Sequence, residues 1–257
     1  MEPAHYPRAW RRIRRLPGDL APWSGALIAQ IARIQQGESV EGDLCQIGGA
    51  SLRSAALLGY LQLPGQEVVR ICGADRVLSE QGILKEVGRA LPPDSTLEIV
   101  RKPAYDLTTA DTSATARILL VTGAASAEEA YTRTEIASSG LHLMGFAAVA
   151  GAFDADRPSV AEGLLALLRD HPERIVPFAV GLGWTFLAPP ETAEFYRTAL
   201  EEERGPLPFL PEGLFRREPE FLAGARLVRF FPAPDLVSEE RHLLRLSRPR
   251  LARLLGR

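Results

Sequence analysis

Between Asp43 and Ser54 the chain reads DLCQIGGASLRS: a short apolar run ending at Ile47, two glycines, then a stretch that turns helical. A strand, a glycine turn and a helix in this order form the building unit of a doubly wound sheet, where helix N–H groups and close backbone approach meet at one point. The alternation then repeats. After a helix over Leu52–Leu61 come a strand over Glu67–Cys72 and a helix over Arg76–Leu91, closed by Pro92 and Pro93. Thr96–Val100 and Arg117–Val121 read as the third and fourth strands, Ala127–Ser138 as a helix, and Gly145–Ala150 as the fifth strand. Ser159–Leu168 is helical, with Val160, Leu164, Leu165 and Leu168 on its inner face. Ile175–Val180 and Trp184–Leu187 flank Gly181 and Gly183, the spacing of a hairpin. The pattern predicts an α/β fold: a doubly wound, mostly parallel seven-stranded sheet with an antiparallel terminal hairpin, N-terminal helices and a C-terminal extension.

The flanks read differently. Arg8–Leu16, RAWRRIRRL, places Trp10, Ile13 and Leu16 at helical spacing with arginines between, an amphipathic helix packed on the domain. Ser24–Gln36 is a second helix, with Leu27, Ile28, Ile31 and Ile34 on one face. Beyond a helix over Glu191–Glu203, the segment GPLPFLPEG (Gly205–Gly213) precedes a strand over Leu222–Phe231 and a basic helix over Glu239–Leu255. The division expected is 1–40, an N-terminal helical segment; 41–203, a Rossmann-like domain; and 204–257, a proline-containing, basic extension.

A chain of 257 residues with 46% hydrophobic and 24% charged residues suits one sizeable α/β core with appendages. No apolar run is long enough to span a bilayer and the N-terminus carries no signal-peptide core, so the expected location is cytoplasmic. Cys45 and Cys72 fall inside strands and read as buried structural thiols, without metal or redox spacing. The net charge of −2 is unevenly placed: Met1–Leu16 and Ser238–Arg257 are each +4, which leaves −10 on the body. Basic ends on an acidic body suggest docking onto that body or capture of an anionic partner. Nucleic acid is disfavoured, because the body is acidic and aromatic and basic residues do not interleave on one face. Phe209, Leu210, Phe215, Phe221, Phe230 and Phe231 need a surface, either their own domain or a second subunit, and a homo- or hetero-oligomer is expected.

From Ser24 to Leu200 the order of elements resembles class I S-adenosylmethionine-dependent methyltransferases, most closely the small-molecule O-methyltransferase-like branch. That branch opens on a motif like E-I-G-x-x-x-G-x-S, on which Gln46, Ile47, Gly48, Leu52 and Ser54 fall. Ile118–Tyr131, ILLVTGAASAEEAY, is similar to the family's L-H-I-D-G-D-H-S-Y-E-G-V. Phe146–Asp170 is similar to a fifth strand ending in D-D-F before W-P-G-V, and Val176–Leu200 to the closing hairpin and helix.

The departures from the motifs are systematic. Gln46 replaces the acid closing the first strand, and Leu52 puts a branched side chain where glycine would let backbone approach a ligand. Cys72 and Gly73 stand where an acid would bind the ribose hydroxyls, and Pro103 stands near the acid that contacts the adenine amine. Charge-assisted bonds are worth about 1.5–3 kcal/mol each, so loss of the ribose acid alone weakens binding on the order of a hundredfold. Thr122, Ala124 and Ala125 occupy the D-x-D-H positions, and Gly151 and Ala152 the D-D positions. In metal-using relatives these acids hold a hard divalent cation, and here they offer no carboxylate.

Under this resemblance the residues left to touch a cofactor, weakly or as vestiges, are Gly48, Gly49, Ser54, Asp75 and Tyr105; no metal ligands and no catalytic residue are assigned. Asp75 reads as a substitute ribose ligand or a helix N-cap, and Asp154 as a substitute acid–base or metal group or an ordinary loop acid. His142 is expected in a solvated or capping role. The functional expectation is a methyltransferase-like pseudoenzyme that has lost S-adenosylmethionine-dependent catalysis, needs no cofactor, and acts as a binding, scaffold or activator subunit. The alternative is an active, metal-independent enzyme that uses S-adenosylmethionine on a small hydroxylated or sugar-like acceptor by proximity alone.

Overall fold

The computed structural model describes residues 1–49, 51–63, 67–73, 80–113, 115–202, 208–210 and 215–232. Asp75, the basic helix expected over Glu239–Leu255 and most of Gly205–Gly213 lie outside the described residues. A short 3-10 turn leads into α1 (Tyr6–Ile13), followed by α2 (Pro22–Gly37), β1 (Leu44–Ile47), α3 (Leu52–Leu61), β2 (Val69–Cys72) and α4 (Glu80–Ala90). Then come β3 (Leu97–Val100), α5 (Thr109–Thr112), β4 (Ala116–Val121), α6 (Ala127–Ser139), β5 (Leu141–Ala150) and α7 (Pro158–Asp170). The hairpin β6 (Val176–Gly181) and β7 (Trp184–Ala188), α8 (Pro190–Glu202) and a last hairpin, β8 (Phe215–Leu222) and β9 (Ala225–Pro232), complete the described chain.

One nine-stranded sheet runs in the order β3-β2-β1-β4-β5-β7-β6-β9-β8. β1 to β5 are mutually parallel, β7 is antiparallel to β5 and β6, and β9 is parallel to β6. The seven strands expected from the sequence are corrected to nine. The additional strands are β8 and β9, turned by Ala223 (φ 50°) and Gly224 (φ 82°); β9 falls on the strand expected over Leu222–Phe231, and β8 has no counterpart in the sequence reading. FRREPEFL carries charge on both faces and a proline, so it shows no strand pattern. As the outermost strand β8 tolerates both, since an edge proline forfeits no ladder bond when its nitrogen faces outward.

Each sheet face carries its own apolar cluster. On one face lie α1, α2 and α3, with Tyr6, Trp10, Leu27, Ile28, Leu57, Phe146 and Phe186 among the fully buried side chains. α6 and α7 cover the other through Ala130, Ala137, Val160 and Leu164. The arginines of α1 alternate with Tyr6, Ala9, Trp10 and Ile13, which are buried, so the amphipathic reading of this helix is the one observed. Tail residues Phe209, Leu210 and Phe230 pack into the same chain's core, Phe209 edge-on to Tyr6 and Phe215 edge-on to Trp23, while Phe221 is 71% exposed. At the amino ends of the strands, Arg117 is fully buried and pairs both guanidinium edges with Glu67 (2.5 and 3.0 Å), Gln35 Oε1 (3.1 Å) and the Leu61 carbonyl (2.7 Å). This network ties α2, α3 and β4 together at the end of the sheet opposite the candidate site.

Candidate functional site

The chain leaves β1 for β2 on one side and returns from β3 to β4 on the other, so the strand order reverses between β1 and β4. In open α/β sheets the crevice outside the carboxyl ends at such a point is where ligands bind. Gly48 sits at its floor with φ +99°. A Cβ there would lie 2.1 Å from the Thr122 carbonyl oxygen, so glycine lets the β1–α3 loop rest directly on the end of β4. The Gly48 N–H donates to the Cys72 carbonyl (2.8 Å), and its carbonyl accepts from Gln46 Nε2 (2.7 Å) and Thr122 Oγ1 (3.0 Å). Both lone pairs of that oxygen are used. Arg133, 5% exposed on α6, donates from Nη1 to the Thr122 carbonyl (2.9 Å) and holds the β4 end from behind.

The two residues that stand in for acids therefore donate inward. A carboxylate at 46 or 122 could not make either bond, because it has no proton to give. Gln46 and Thr122 are 0% and 1% exposed.

The start of α3 is occupied in the same way. Ser51 is its N-cap, and its Oγ accepts the Ser54 N–H (3.3 Å) and lies 2.9 Å from the Ser54 hydroxyl. Ser54 is fully buried. The Leu52 N–H donates to the Pro17 carbonyl (3.1 Å), and the Leu52 side chain, 2% exposed, belongs to the apolar cluster shared with α1 and α2. Gly18 (φ +137°) lies so close to Ser51 that a Cβ would fall 2.5 Å from its Oγ and 2.9 Å from its Cα. Arg53 clamps this strap with one guanidinium, donating to the carbonyls of Leu16 (2.9 Å), Leu20 (3.4 Å) and Arg14 (3.2 Å). Asp19 continues the strap to Arg157 beyond β5, at 3.8 Å. The segment 14–20 thus crosses the mouth of the crevice from α3 to the β5 loop.

Of the residues singled out by sequence, Gly48, Gly49 and Ser54 share the β1–α3 junction, with Gly49 half-buried. Tyr105 is not among them: it stands 77% exposed in a short turn after β3, and β2 lies between β3 and β1. At the end of β2, Cys72 Sγ donates to the Asp111 carbonyl (3.3 Å) and lies 3.5 Å from Cys45 Sγ. Burial pushes the Cys45 thiol well up from its ordinary pKa, and the hydrogen bond with Cys72 adds to this. His142 lies in β5 and accepts the Met144 N–H at Nδ1 (3.0 Å), on the sheet's amino-terminal side. Among the described residues no group of three or more His, Cys, Asp or Glu could hold a metal ion, and no helix is long and apolar enough to cross a membrane. The strap, Arg53 and Arg157 were not indicated by sequence. The positive φ of Gly18 has only the Pro-Gly turn as a local sign, and its contact with Ser51 has none.

S-adenosylmethionine, the cofactor the motif resemblance implies, would meet at this junction groups that are already bonded. The amides of Gly48, Leu52 and Ser54 and the Ser54 hydroxyl already have partners within the chain. Leu52 stands where the family has glycine, and Ala124, Gly151 and Ala152 supply no carboxylate.

No protein family's sequence profile matches the chain, and no curated protein is similar to it in sequence. Solved structures similar in fold include the O-methyltransferase NovP, at 12% identity and a TM-score of 0.47 over 63% of this chain and 77% of that one. Another is CalS11, a TDP-rhamnose 3'-O-methyltransferase of calicheamicin biosynthesis, at 15% identity and a TM-score of 0.45 over 65% and 80%. A third is an rRNA methylase from Streptococcus thermophilus, at 13% identity and a TM-score of 0.40 over 62% and 92%. The likeness is one of fold.

Proposed function

We propose that this is a methyltransferase-fold protein that does not transfer methyl groups and acts by binding, as a scaffold or activator subunit in a homo- or hetero-oligomer. The observation that carries the reading is the internal satisfaction of the β1–α3 junction. Its glycine carbonyl, three of its amides and its serine hydroxyl are all bonded to the chain itself. A cofactor carboxylate arriving there would have to displace the Pro17 carbonyl and the Ser51 hydroxyl, each worth about 0.5–1.5 kcal/mol net, before gaining anything. The absent ribose acid would subtract further.

Isothermal titration calorimetry of the full chain with S-adenosylmethionine and S-adenosylhomocysteine tests this. The expected result is no binding tighter than about 1 mM, that is, about 4 kcal/mol or less. Micromolar binding of either compound overturns the proposal and restores the reading of an active, metal-independent methyltransferase. The subunit role predicts assembly, read by sedimentation velocity over a range of concentrations; a monomer throughout removes the oligomer from the proposal.

A further inference from the structure

β8 is the last strand of the sheet, and Ala223 and Gly224 join it to β9 in a two-residue turn with positive φ at both positions. Leu222 and Ala225 therefore close the hairpin and exchange its first pair of backbone bonds. Bonding alternates along an antiparallel ladder, so Leu222, Glu220, Glu218 and Arg216 bond inward to β9. The intervening positions, Phe215, Arg217, Pro219 and Phe221, turn their backbone groups outward, which is why a proline at 219 costs the β9 ladder nothing. Among the described residues no backbone bond reaches the outward N–H and C=O groups of Phe215 and Phe221.

The side chains along this edge are arranged about Glu218. Arg216 and Glu220 stand at equal distances from it on one face of the strand, and Phe215 and Phe221 at equal distances on the other. With Arg216, Arg217, Glu218 and Glu220 the strand carries no net charge. Phe215 packs edge-on against Trp23, whereas Phe221, on the same face at the turn end, is 71% exposed.

We propose that two copies of this chain pair antiparallel through β8, in a twofold dimer whose sheet runs continuously from one copy into the other. Opposite residues of an antiparallel pair are either both bonded or both unbonded across the gap, so outward positions face outward positions and the twofold axis passes through a residue. The register centred on Glu218 sets Arg216 opposite Glu220 twice and Phe215 opposite Phe221 twice. Centring on Arg217 brings the two Arg217 residues face to face and leaves Phe221 beyond the partner strand. Centring on Pro219 sets Glu218 opposite Glu220, like charge against like. In the Glu218 register each Phe215–Phe221 pair exchanges two backbone bonds, and Phe221 gains the apolar surface that Phe215 and Trp23 form in the other copy. Glu218 faces its own counterpart, with Arg216 of its own strand at 3.7 Å to offset the repulsion. Pro219, opposite Arg217, has no N–H to donate but still offers its carbonyl. Charges and a proline on an edge discourage pairing with strands at large, while this pattern is matched by its own reversed copy.

The dimer rests on the oligomeric part of the function proposed above, naming its surface, and not on the absence of methyl transfer. Sedimentation velocity of the full chain over a range of concentrations tests it, on wild type, Arg216→Glu, Glu220→Arg, Phe221→Ser and an equimolar mixture of the two charge variants. Each reversal turns both Arg–Glu pairs into like-charge pairs, and self-association is expected to weaken about tenfold, as it is on loss of the Phe221 ring. In the mixture each Arg216→Glu copy meets a Glu220→Arg copy, both pairs become opposite in charge again, and a heterodimer of wild-type strength is expected. Arg216 and Glu220 project from the surface, and circular dichroism checks that every variant is folded. Wild-type assembly that no variant weakens, or a mixture no stronger than its components, overturns the β8 dimer and leaves the oligomer to another surface. A monomer at every concentration overturns both; protection of the Phe215 and Phe221 amides from hydrogen exchange in that monomer would place another segment of the chain on the edge. Micromolar binding of S-adenosylhomocysteine overturns the non-catalytic reading alone.

Discussion

Gln46→Glu returns the first motif to the acidic residue of the resembled family, and the structure makes it a costly change. Gln46 is fully buried and its Nε2 donates to the Gly48 carbonyl at 2.7 Å. An ionised carboxylate would set an oxygen against that carbonyl oxygen, and the Arg133 guanidinium behind the junction is engaged by the Thr122 carbonyl and Glu129. The introduced carboxyl therefore stays protonated in the folded state, where its O–H can still donate, and its folded pKa rises well above the unfolded value of about 4.3, to about 8–9 for a fully buried group. The sign follows: below about pH 4 both states are protonated and the variant is close to wild type. Above that, the unfolded state releases its proton and the folded state does not, so stability relative to wild type falls by about 1.36 kcal/mol per pH unit. At pH 7 the deficit reaches about 3.7 kcal/mol, and it levels off only once the pH passes the folded pKa. For a chain of this size that is about 10 °C in Tm. Urea unfolding of both proteins at half-unit steps from pH 4 to 8 reads it directly. A deficit under 1 kcal/mol at pH 7, or one independent of pH, refutes the inward-facing role of Gln46. Gain of S-adenosylmethionine binding by this variant would refute the closed junction as well.

Gly48→Ala should cost about 3 kcal/mol in urea unfolding, from backbone strain at positive φ plus displacement of the Thr122 carbonyl. Gly88→Ala, mid-α4 with nothing within 4 Å of an added Cβ, should instead stabilise by about 0.5–1 kcal/mol in the same assay. Glu67→Gln strands the buried Arg117 charge and should cost about 3–5 kcal/mol, which Arg117→Met combined with it recovers in large part. Asp111 is held down to about 2 by the Lys102 ammonium and then by the Thr108 N–H. Its contribution to stability is therefore present above pH 4 and lost as the pH falls toward 2, and Asp111→Asn should flatten that part of the acid-unfolding curve.

The regular elements were legible because their local signals and their tertiary demands agree. Leu52–Leu61 has Ser51 to accept the Ser54 N–H and an apolar stripe to bury, so its bounds coincide in sequence and structure. β1, β2 and β4 are buried on both faces and read as short apolar runs. β8 escaped because an edge strand need not bury either face, and its arginines and glutamates pair along the surface, Glu220 with Arg229 and Arg216 with Glu218. The strap escaped for a different reason. Arg53 meets carbonyls more than thirty residues earlier in the chain, and nothing in the local pattern of either segment encodes the other. At the site itself the sequence identified which positions depart from the resembled motifs, but not what the residues there do: Gln46 and Thr122 stand at the positions of acids and act as donors.

That difference bears on what holds the junction together. A buried donor or acceptor left without a partner costs about 1–3 kcal/mol. Gln46 Oε1 is such an orphan among the described residues. The backbone around it is not: the Gly48 carbonyl is doubly bonded, the Leu52 amide is taken by Pro17, and Ser54 is taken by Ser51. Gln46 and Thr122 are donors of the polarity that completes these bonds, and Gly18 lets the strap rest against Ser51. A junction whose donors and acceptors pair within the chain holds its loop without a ligand, which is why Gln46→Glu is expected to register first as a loss of stability.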